Sequence, residues 1–441
     1  MLRLKSSLMS ACVLLAATAA GPVFADVVAL PVAAGTPATA AADSSTPIGA
    51  TQGATVHTQD MAADAGTSPY TLKLQYTGEL ADNADGGLKT GSTYMQNVDA
   101  QFAVDTGKAF GLTGGRIFLE GFYESPTSLD VNYVGAAQDP SAIDTSGVEM
   151  FRLYQAYYDQ KLGNTDLLFG VYDTETEFGN TEPMALFFNG AYAWTTTLDQ
   201  SGQGGLNGPS NYPNTSLAFR ARQKINDQWS VEAVVADGMS DSAKYPGVNE
   251  FQFQSKDGAL GIGEVDYTPS KHTKVMAGYW GYTSKFDTQN ETYRDGSPRQ
   301  TYGSDGGYIG GATRLWEIQG RRGLDAFANI GLADPVVNQI DRSLNMGLNF
   351  DGPFAARPFD KAGIALGIAG DGAAYRKAQI AAGNGVENYE TNFEATYRAP
   401  VNTWLTVQPD VQYWVNPNMD PTLKNDLLFM VHFEIGHLFN L

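Results

Sequence analysis

The chain has 441 residues, with 28 Lys and Arg, 48 Asp and Glu and four His, so its formal net charge is -20 at pH 7. A chain this acidic repels the phosphate backbone, which excludes nucleic acid as an expected partner. It has one cysteine, Cys12, which excludes a disulfide framework and thiolate metal sites.

The first 25 residues have the pattern of a cleaved signal peptide. Arg3 and Lys5 precede a short apolar stretch, and Val23 and Ala25 are small residues at the two positions that a signal peptidase recognises. The apolar stretch is too short to span a bilayer as an anchor. We therefore predict that residues 1–25 direct export and are removed, together with Cys12.

Residues 26–67 form a low-complexity segment dominated by Ala, Thr, Gly, Ser and Pro. The segment has no apolar period and cannot bury enough surface to offset the entropy of ordering. We predict a periplasmic linker between the signal peptide and a folded domain at residues 68–441.

From Tyr70 onward, apolar and polar residues alternate in short segments. Residues 71–80 alternate strictly, and the same pattern recurs in residues 98–105, 324–330 and 343–350. A period of two is typical of a strand with one apolar face and one polar face. We count about sixteen such segments, beginning near residues 70, 95, 115, 149, 166, 213, 228, 257, 273, 304, 322, 340, 361, 389, 403 and 428.

The connections between these segments alternate between short and long. The short ones include residues 162–165, 225–228, 268–272 and 400–403, and the long ones include residues 125–148, 174–212 and 238–251. Outer-membrane barrels have short periplasmic turns and longer extracellular loops. The sequence therefore predicts an all-β, antiparallel transmembrane barrel. The connection after Leu80 is expected to be long, which would place both termini in the periplasm.

The last segment supports a closed barrel. Apolar side chains occupy alternate positions from Val431 to Leu441, and the opposite face includes His432 and Glu434. A membrane barrel must close without free edges, so this strand is expected to pair with the first one. We expect the chain to face outer-membrane lipid and to need the barrel-assembly machinery during biogenesis.

Four stretches resemble the OprB-type carbohydrate-selective porins. They are residues 152–155, residues 176–189, residues 226–238 and residues 396–413. Together they extend the resemblance over residues 70–441. It implies a sixteen-stranded barrel that admits glucose and related sugars by passive diffusion. It also implies a homo-trimer.

The longest connection, residues 174–212, is the third long one, and by analogy with sixteen-stranded porins it is expected to fold into the lumen. Five aromatic residues can pack it against the wall or stack on a sugar ring: Phe178, Phe187, Phe188, Tyr192 and Trp194. Five polar residues can bind hydroxyls: Glu177, Asn189, Asp199, Gln200 and Gln203. The alternative is a surface loop with a small apolar core of its own.

Three basic residues, Arg220, Arg222 and Lys224, share one face of a strand whose other face is apolar. Lipid does not accept two guanidinium groups, so this face should line the lumen. There it forms either a basic ladder for solutes beside Glu177 or a network of salt bridges that holds the loop.

A second polar stripe is expected on the strand at residues 403–414, with Glu394 and Arg398 on the preceding strand. The predicted solute-pathway residues are Arg152, Glu177, Asn189, Trp194, Arg220, Arg222, Asp410, Gln412 and Trp414. The predicted partners are mono- or oligosaccharides.

An enzyme is not expected. Of the four His, only His432 lies where a catalytic site could form, and no nucleophile motif accompanies it. No two His share a face at ligand spacing, so we expect neither a metal nor a cofactor. The alternatives to a sugar porin are a general or anion-preferring porin and, after it, an outer-membrane barrel enzyme.

Overall fold

A computed structural model describes residues 68–145, 150–202, 208–240, 258–318 and 322–441, and these residues form a closed barrel of sixteen antiparallel strands. Each strand pairs with its neighbours in sequence, and β1 closes the barrel on β16. The predicted signal peptide and linker lie outside the described residues. The strands are β1 (Tyr70–Gly87), β2 (Gly91–Asp105), β3 (Gly115–Glu124), β4 (Met150–Leu162), β5 (Thr165–Tyr172), β6 (Ser216–Lys224), β7 (Trp229–Asp237), β8 (Ala259–Ser270), β9 (Thr273–Thr292), β10 (Pro298–Glu317), β11 (Gly323–Ala333), β12 (Ile340–Asp351), β13 (Lys361–Asp371), β14 (Tyr389–Pro400), β15 (Leu405–Val415) and β16 (Lys424–Asn440).

Helical segments are confined to connections. The α-helices are α1 (Thr106–Phe110), α2 (Thr196–Asp199) and α3 (Ala373–Ala381), and the shorter helical turns are Asp130–Val134, Thr174–Thr176, Glu182–Leu186, Gly190–Tyr192 and Pro417–Met419. Within the described ranges, no helix is long and apolar enough to cross a membrane.

The strand prediction is confirmed, with every start within six residues of its expected position. Alternation also sorts the faces as expected. In β12, Met346 and Leu348 point outward and are 39% and 36% exposed, whereas Asn345 and Asn349 point inward and are buried.

The first connection differs from its prediction. Instead of a long loop, β1 continues to Gly87 and β2 begins at Gly91, so only residues 88–90 join them. At 18 residues, β1 is longer than the roughly 10 residues a tilted strand needs to cross the bilayer. Tyr94 and Thr93 of β2 pair with Leu80 and Ala81 of β1, so the strand pairing continues beyond Leu80. Gly86 and Gly87 adopt positive φ values at the tight turn that joins the two strands.

The lengths of the other connections still show which end of the barrel carries the long loops and which end carries the short turns. Residues 125–149 and 173–215 leave the barrel at the same end as the β1–β2 turn, and the two-residue turn at 163–164 lies at the opposite end. Both ends of the strand region therefore lie at the short-turn side. The predicted long loop at residues 238–251 falls mostly outside the described residues.

Candidate solute pathway through the barrel

The connection between β5 and β6, here called loop 3 (residues 173–215), folds into the lumen. Asn345 of β12 donates its side-chain N–H to the carbonyl of Trp194 at 3.1 Å. On β14, Glu394 accepts backbone N–H groups from Phe188 at 2.6 Å and Asn189 at 3.1 Å. Because Asn345 and Glu394 face inward, these bonds fix loop 3 inside the barrel as predicted, and the surface-loop alternative is excluded.

The connection between β3 and β4, here called loop 2 (residues 125–149), also enters the lumen, which the sequence did not predict. Glu390 of β14 accepts the backbone N–H groups of Ala137 at 2.8 Å and Gln138 at 3.0 Å. Gln412 of β15 donates to the carbonyl of Pro140 at 2.7 Å. Glu390 lies four residues nearer the long-loop end of β14 than Glu394, so loop 2 sits on the long-loop side of loop 3.

The aromatic residues of loop 3 pack the loop and are not open to solvent. Phe178, Phe187, Tyr192 and Trp194 are all fully buried. The ring of Phe187 lies 5.6 Å from that of Phe327 on the wall, in an inclined contact. Of the two roles open to these rings, packing against the wall is the one that the structure shows.

Small residues on the inner face of β13 make room for loop 3. The inward positions after Lys361 are Gly363, Ala365, Gly367 and Ala369. A Cβ added to Gly363 would lie 2.6 Å from the Phe187 ring and 2.7 Å from the Leu186 side chain. Glycine within a strand often marks such a close approach, so this run was a signal in the sequence that the inner wall carries a loop.

Gly363→Leu should push loop 3 off β13 and lower the free energy of unfolding by about 1–3 kcal/mol, the usual cost of overpacking. Ile364→Leu is the matched control, because Ile364 points outward and is 59% exposed. Unfolding in denaturant, followed by tryptophan fluorescence, measures the difference. Similar stability of the two variants would argue against tight packing of the loop at Gly363.

Arg220 and Arg222 come together with Glu177, as the sequence suggested. Arg220 Nε lies 2.9 Å from Glu177 Oε2, and Arg222 Nη2 lies 3.7 Å from the same oxygen. Arg220 also pairs with Asp166, and Arg222 with Glu232 at 2.6 Å. The Arg220 side chain is 4% exposed and that of Arg222 29%, so Arg222 is the more accessible of the two. Lys224 is separate and pairs with Asp227 in the turn at 2.8 Å.

The remaining predicted pathway residues are buried. Arg152 lies on the inner face of β4. Asn189 donates to the carbonyl of Gln138 at 3.2 Å and so joins the two loops. Asp410 faces inward beside Gln412, and Trp414 packs in a buried cluster with Phe188 and Met430. Trp414, like Trp194, therefore stabilises the lumen loops by packing.

A cavity lies between loops 2 and 3, lined by residues of both. None of the nine predicted pathway residues is among its described lining residues, although Asp199, Phe188 and Tyr192, which the sequence had singled out in loop 3, are. The sequence missed the contribution of loop 2, from Asp139 to Asp144. A signal was present, because residues 125–149 contain four carboxylates and no Lys, Arg or His.

His432 faces two carboxylates. Its Nδ1 lies 2.8 Å from Glu79 and its Nε2 lies 3.2 Å from Glu434. The hydroxyl of Ser141 donates to the other oxygen of Glu79. With both ring nitrogens turned to carboxylates, this arrangement links loop 2 to the wall and does not present the imidazole to a hydroxyl nucleophile.

Three carboxylates on β7 and β8 approach one another. Those of Glu232, Glu264 and Asp266 have oxygens within 4.8 Å of each other. Lys274 lies 3.2 Å from Glu264 and 3.1 Å from Asp266. With Arg222 on Glu232, each of the three carboxylates already has a cationic side chain of the protein beside it.

Comparison with known proteins agrees with the architecture. The family profile described as "Carbohydrate-selective porin, OprB family" matches residues 89–436. Porin B of Pseudomonas aeruginosa is 26% identical over 401 residues, which are 81% of this chain and 86% of that protein.

Solved structures share the fold. The high-pH structure of Pseudomonas putida OprB superposes with a TM-score of 0.74 at 21% identity, over 88% of this chain and 99% of that one. Salmonella typhi OmpF in complex with daunomycin gives a TM-score of 0.51 at 12% identity, over 84% of this chain and 98% of that one.

Proposed function

Since the chain belongs to the OprB family of carbohydrate-selective porins, we propose that it lets glucose and related monosaccharides diffuse passively through the outer membrane into the periplasm. Outer-membrane location and a porin barrel follow from the family. The choice of a sugar as the solute rests on one observation. Two loops lie in the lumen, and carboxylates of the wall bind the backbone of both. Such loops form a fixed, polar constriction without moving parts or a source of energy.

Charge compensation in the lumen favours an uncharged solute. Arg220 and Arg222 share Glu177, and each has a further carboxylate partner. Paired groups still offer hydrogen bonds at fixed positions, which suits the many hydroxyls of a sugar. An anion-preferring porin would instead need cations without such partners. We propose Arg222 and Glu177 as the first sugar contacts, because their side chains are 29% and 18% exposed.

The remaining pathway residues are proposed to act indirectly. Asn189 and Gln412 hold the backbone of the loops, and Trp194 and Trp414 fill the space behind them. Arg152 and Asp410 contribute charge to the inner wall. These residues therefore set the width and polarity of the passage that the sugar meets.

In proteoliposome swelling, glucose should enter faster than an uncharged non-sugar of equal size. The reason is that fixed donors and acceptors replace the water that a sugar loses at the constriction. Empty liposomes are the control for leakage. Equal entry rates of the two solutes would reject sugar selectivity and favour a general porin.

Processing and assembly are proposed from the sequence and the family. We propose that export removes residues 1–25, that residues 26–67 remain as a periplasmic linker, and that the barrel-assembly machinery inserts the domain. We also propose a homo-trimer. Sequencing of the mature N-terminus should begin at Asp26, and the mass in detergent should be that of three chains.

A further inference from the structure

The cavity between loops 2 and 3 is open to the lumen and has the mixed polar and aromatic lining of a small-molecule site. Its polar lining includes Asp139, Asp144, Glu175, Asn180 and Thr181. Tyr212, which is half-buried, adds aromatic surface, which suits the apolar face of a pyranose ring.

The two loops give this cavity a single sign of charge. Residues 125–149 and 173–215 together contain nine Asp and Glu and no Lys, Arg or His. The lumen wall below them is different, because its arginines stand beside carboxylates. A solute that crosses the lumen therefore meets an acidic compartment and a second region in which arginines pair with carboxylates.

Not all the cavity carboxylates are committed to the protein. Asp144 accepts the backbone N–H groups of Leu129 and Asp130, each at 2.8 Å. By contrast, Asp139 is exposed to the cavity. Glu175 accepts the backbone N–H of Tyr212, and within the described residues neither carboxylate forms an ion pair. The site thus lacks a positive charge.

A further polar group at the cavity is unused. Thr181 lines the cavity and is 5% exposed, and its hydroxyl has no hydrogen-bond partner among the described residues. A buried hydroxyl without a partner is uncommon in a folded protein, and a bound ligand group would satisfy it. Within the described residues, the cavity therefore holds two carboxylates without a cationic partner and one hydroxyl without a hydrogen-bond partner.

We propose that this cavity binds a sugar that carries a protonated amine, an amino sugar, in preference to neutral sugars, and that it disfavours sugar acids. The ammonium group would donate to Asp139 and Glu175, the ring hydroxyls would reach the neighbouring amide and hydroxyl groups, and the ring would lie against Tyr212. The inference rests on the proposed function, since it treats the cavity as part of the sugar route.

Block of the ion current through single channels by glucosamine, glucose and glucuronate at neutral pH tests the proposal. In the unmodified protein, glucosamine should reach half-block at a concentration about tenfold below that of glucose, as expected for one charge-assisted hydrogen bond, and glucuronate should block least. Asp139→Asn with Glu175→Gln should bring glucosamine to within about twofold of glucose. The control, Asp227→Asn with Asp295→Asn, removes two exposed charges outside the cavity and should keep the preference.

The outcomes separate the two proposals. Failure of glucose to block the unmodified channel contradicts the proposed function. Normal glucose block with an unchanged glucosamine preference in the cavity variant overturns the amino-sugar site alone, as does an equal loss in the control. If the double variant does not fold, as judged by circular dichroism, the single change Asp139→Asn at an exposed position should still reduce the preference.

Discussion

Leu348→Arg should lower the free energy of unfolding of the barrel by about 2–4 kcal/mol, the cost of an arginine near the bilayer midplane. Leu348 points outward from β12 and is 36% exposed, so the guanidinium would lie in hydrocarbon. Arg side chains that cannot reach the interface keep most of this penalty. Denaturant unfolding of the protein in lipid vesicles gives the magnitude.

Asn349→Arg is the matched control, because the same side chain is placed one residue away on the opposite face. Asn349 is 2% exposed and stands opposite Asp325 in the β11–β12 register. An arginine there would lie on the lumen side, away from lipid and beside the Asp325 carboxylate that Arg314 already binds, so we expect it to be tolerated better than Leu348→Arg. Equal loss of stability in the two variants would show that the inward and outward faces of β12 are assigned wrongly.

The strands were predictable because their pattern is local. A strand between lipid and water must alternate its side chains whatever its neighbours are, and β12 shows this from Leu344 to Phe350. The β1–β2 connection was mispredicted for a related reason. Beyond Leu80 both faces of β1 carry small or polar side chains, so the apolar–polar alternation ends and the sequence no longer distinguishes an extended hairpin from a loop.

The position of loop 2 was not predictable, because it depends on contacts distant in sequence. Ala137 binds Glu390, which lies 253 residues further along the chain. Nothing near Glu390 shows that its carboxylate accepts backbone N–H groups instead of lining water. The small residues on β13 were an available signal for loop 3, yet a glycine in a strand equally suggests a bulge.

The roles of the aromatic residues were ambiguous for a physical reason. The sequence does not distinguish a tryptophan that stacks on a sugar from one that packs a lumen loop. Only the exposed fraction of the side chain distinguishes the two roles. Trp194 and Trp414 are both fully buried. By contrast, the Arg220–Glu177 contact was expected. The two guanidinium groups must avoid lipid, so they face the lumen, and loop 3 leads directly into the strand that carries them.

Arg220→Ala with Arg222→Ala should raise the small-ion conductance and weaken the block of the current by sugar, while the barrel stays folded. The two arginines join Asp166, Glu177 and Glu232, so their loss leaves carboxylates of the wall and of loop 3 without counter-charge. Removing one partner of a buried ion pair costs about 3–5 kcal/mol. That energy now favours movement of the start of loop 3 away from β6, which widens the passage.

Planar-bilayer recordings measure both effects, and circular dichroism checks the fold. Glu177→Gln separates the two roles of the cluster, because it keeps both guanidinium groups but weakens the tie to loop 3. If the arginines bind sugar directly, this variant should raise conductance and retain more of the sugar block than the double alanine variant. An unchanged sugar block in a folded double variant would show that the solute does not contact either arginine. Their role would then be structural, because ion pairs that only support the wall can be lost without changing the groups that the solute contacts.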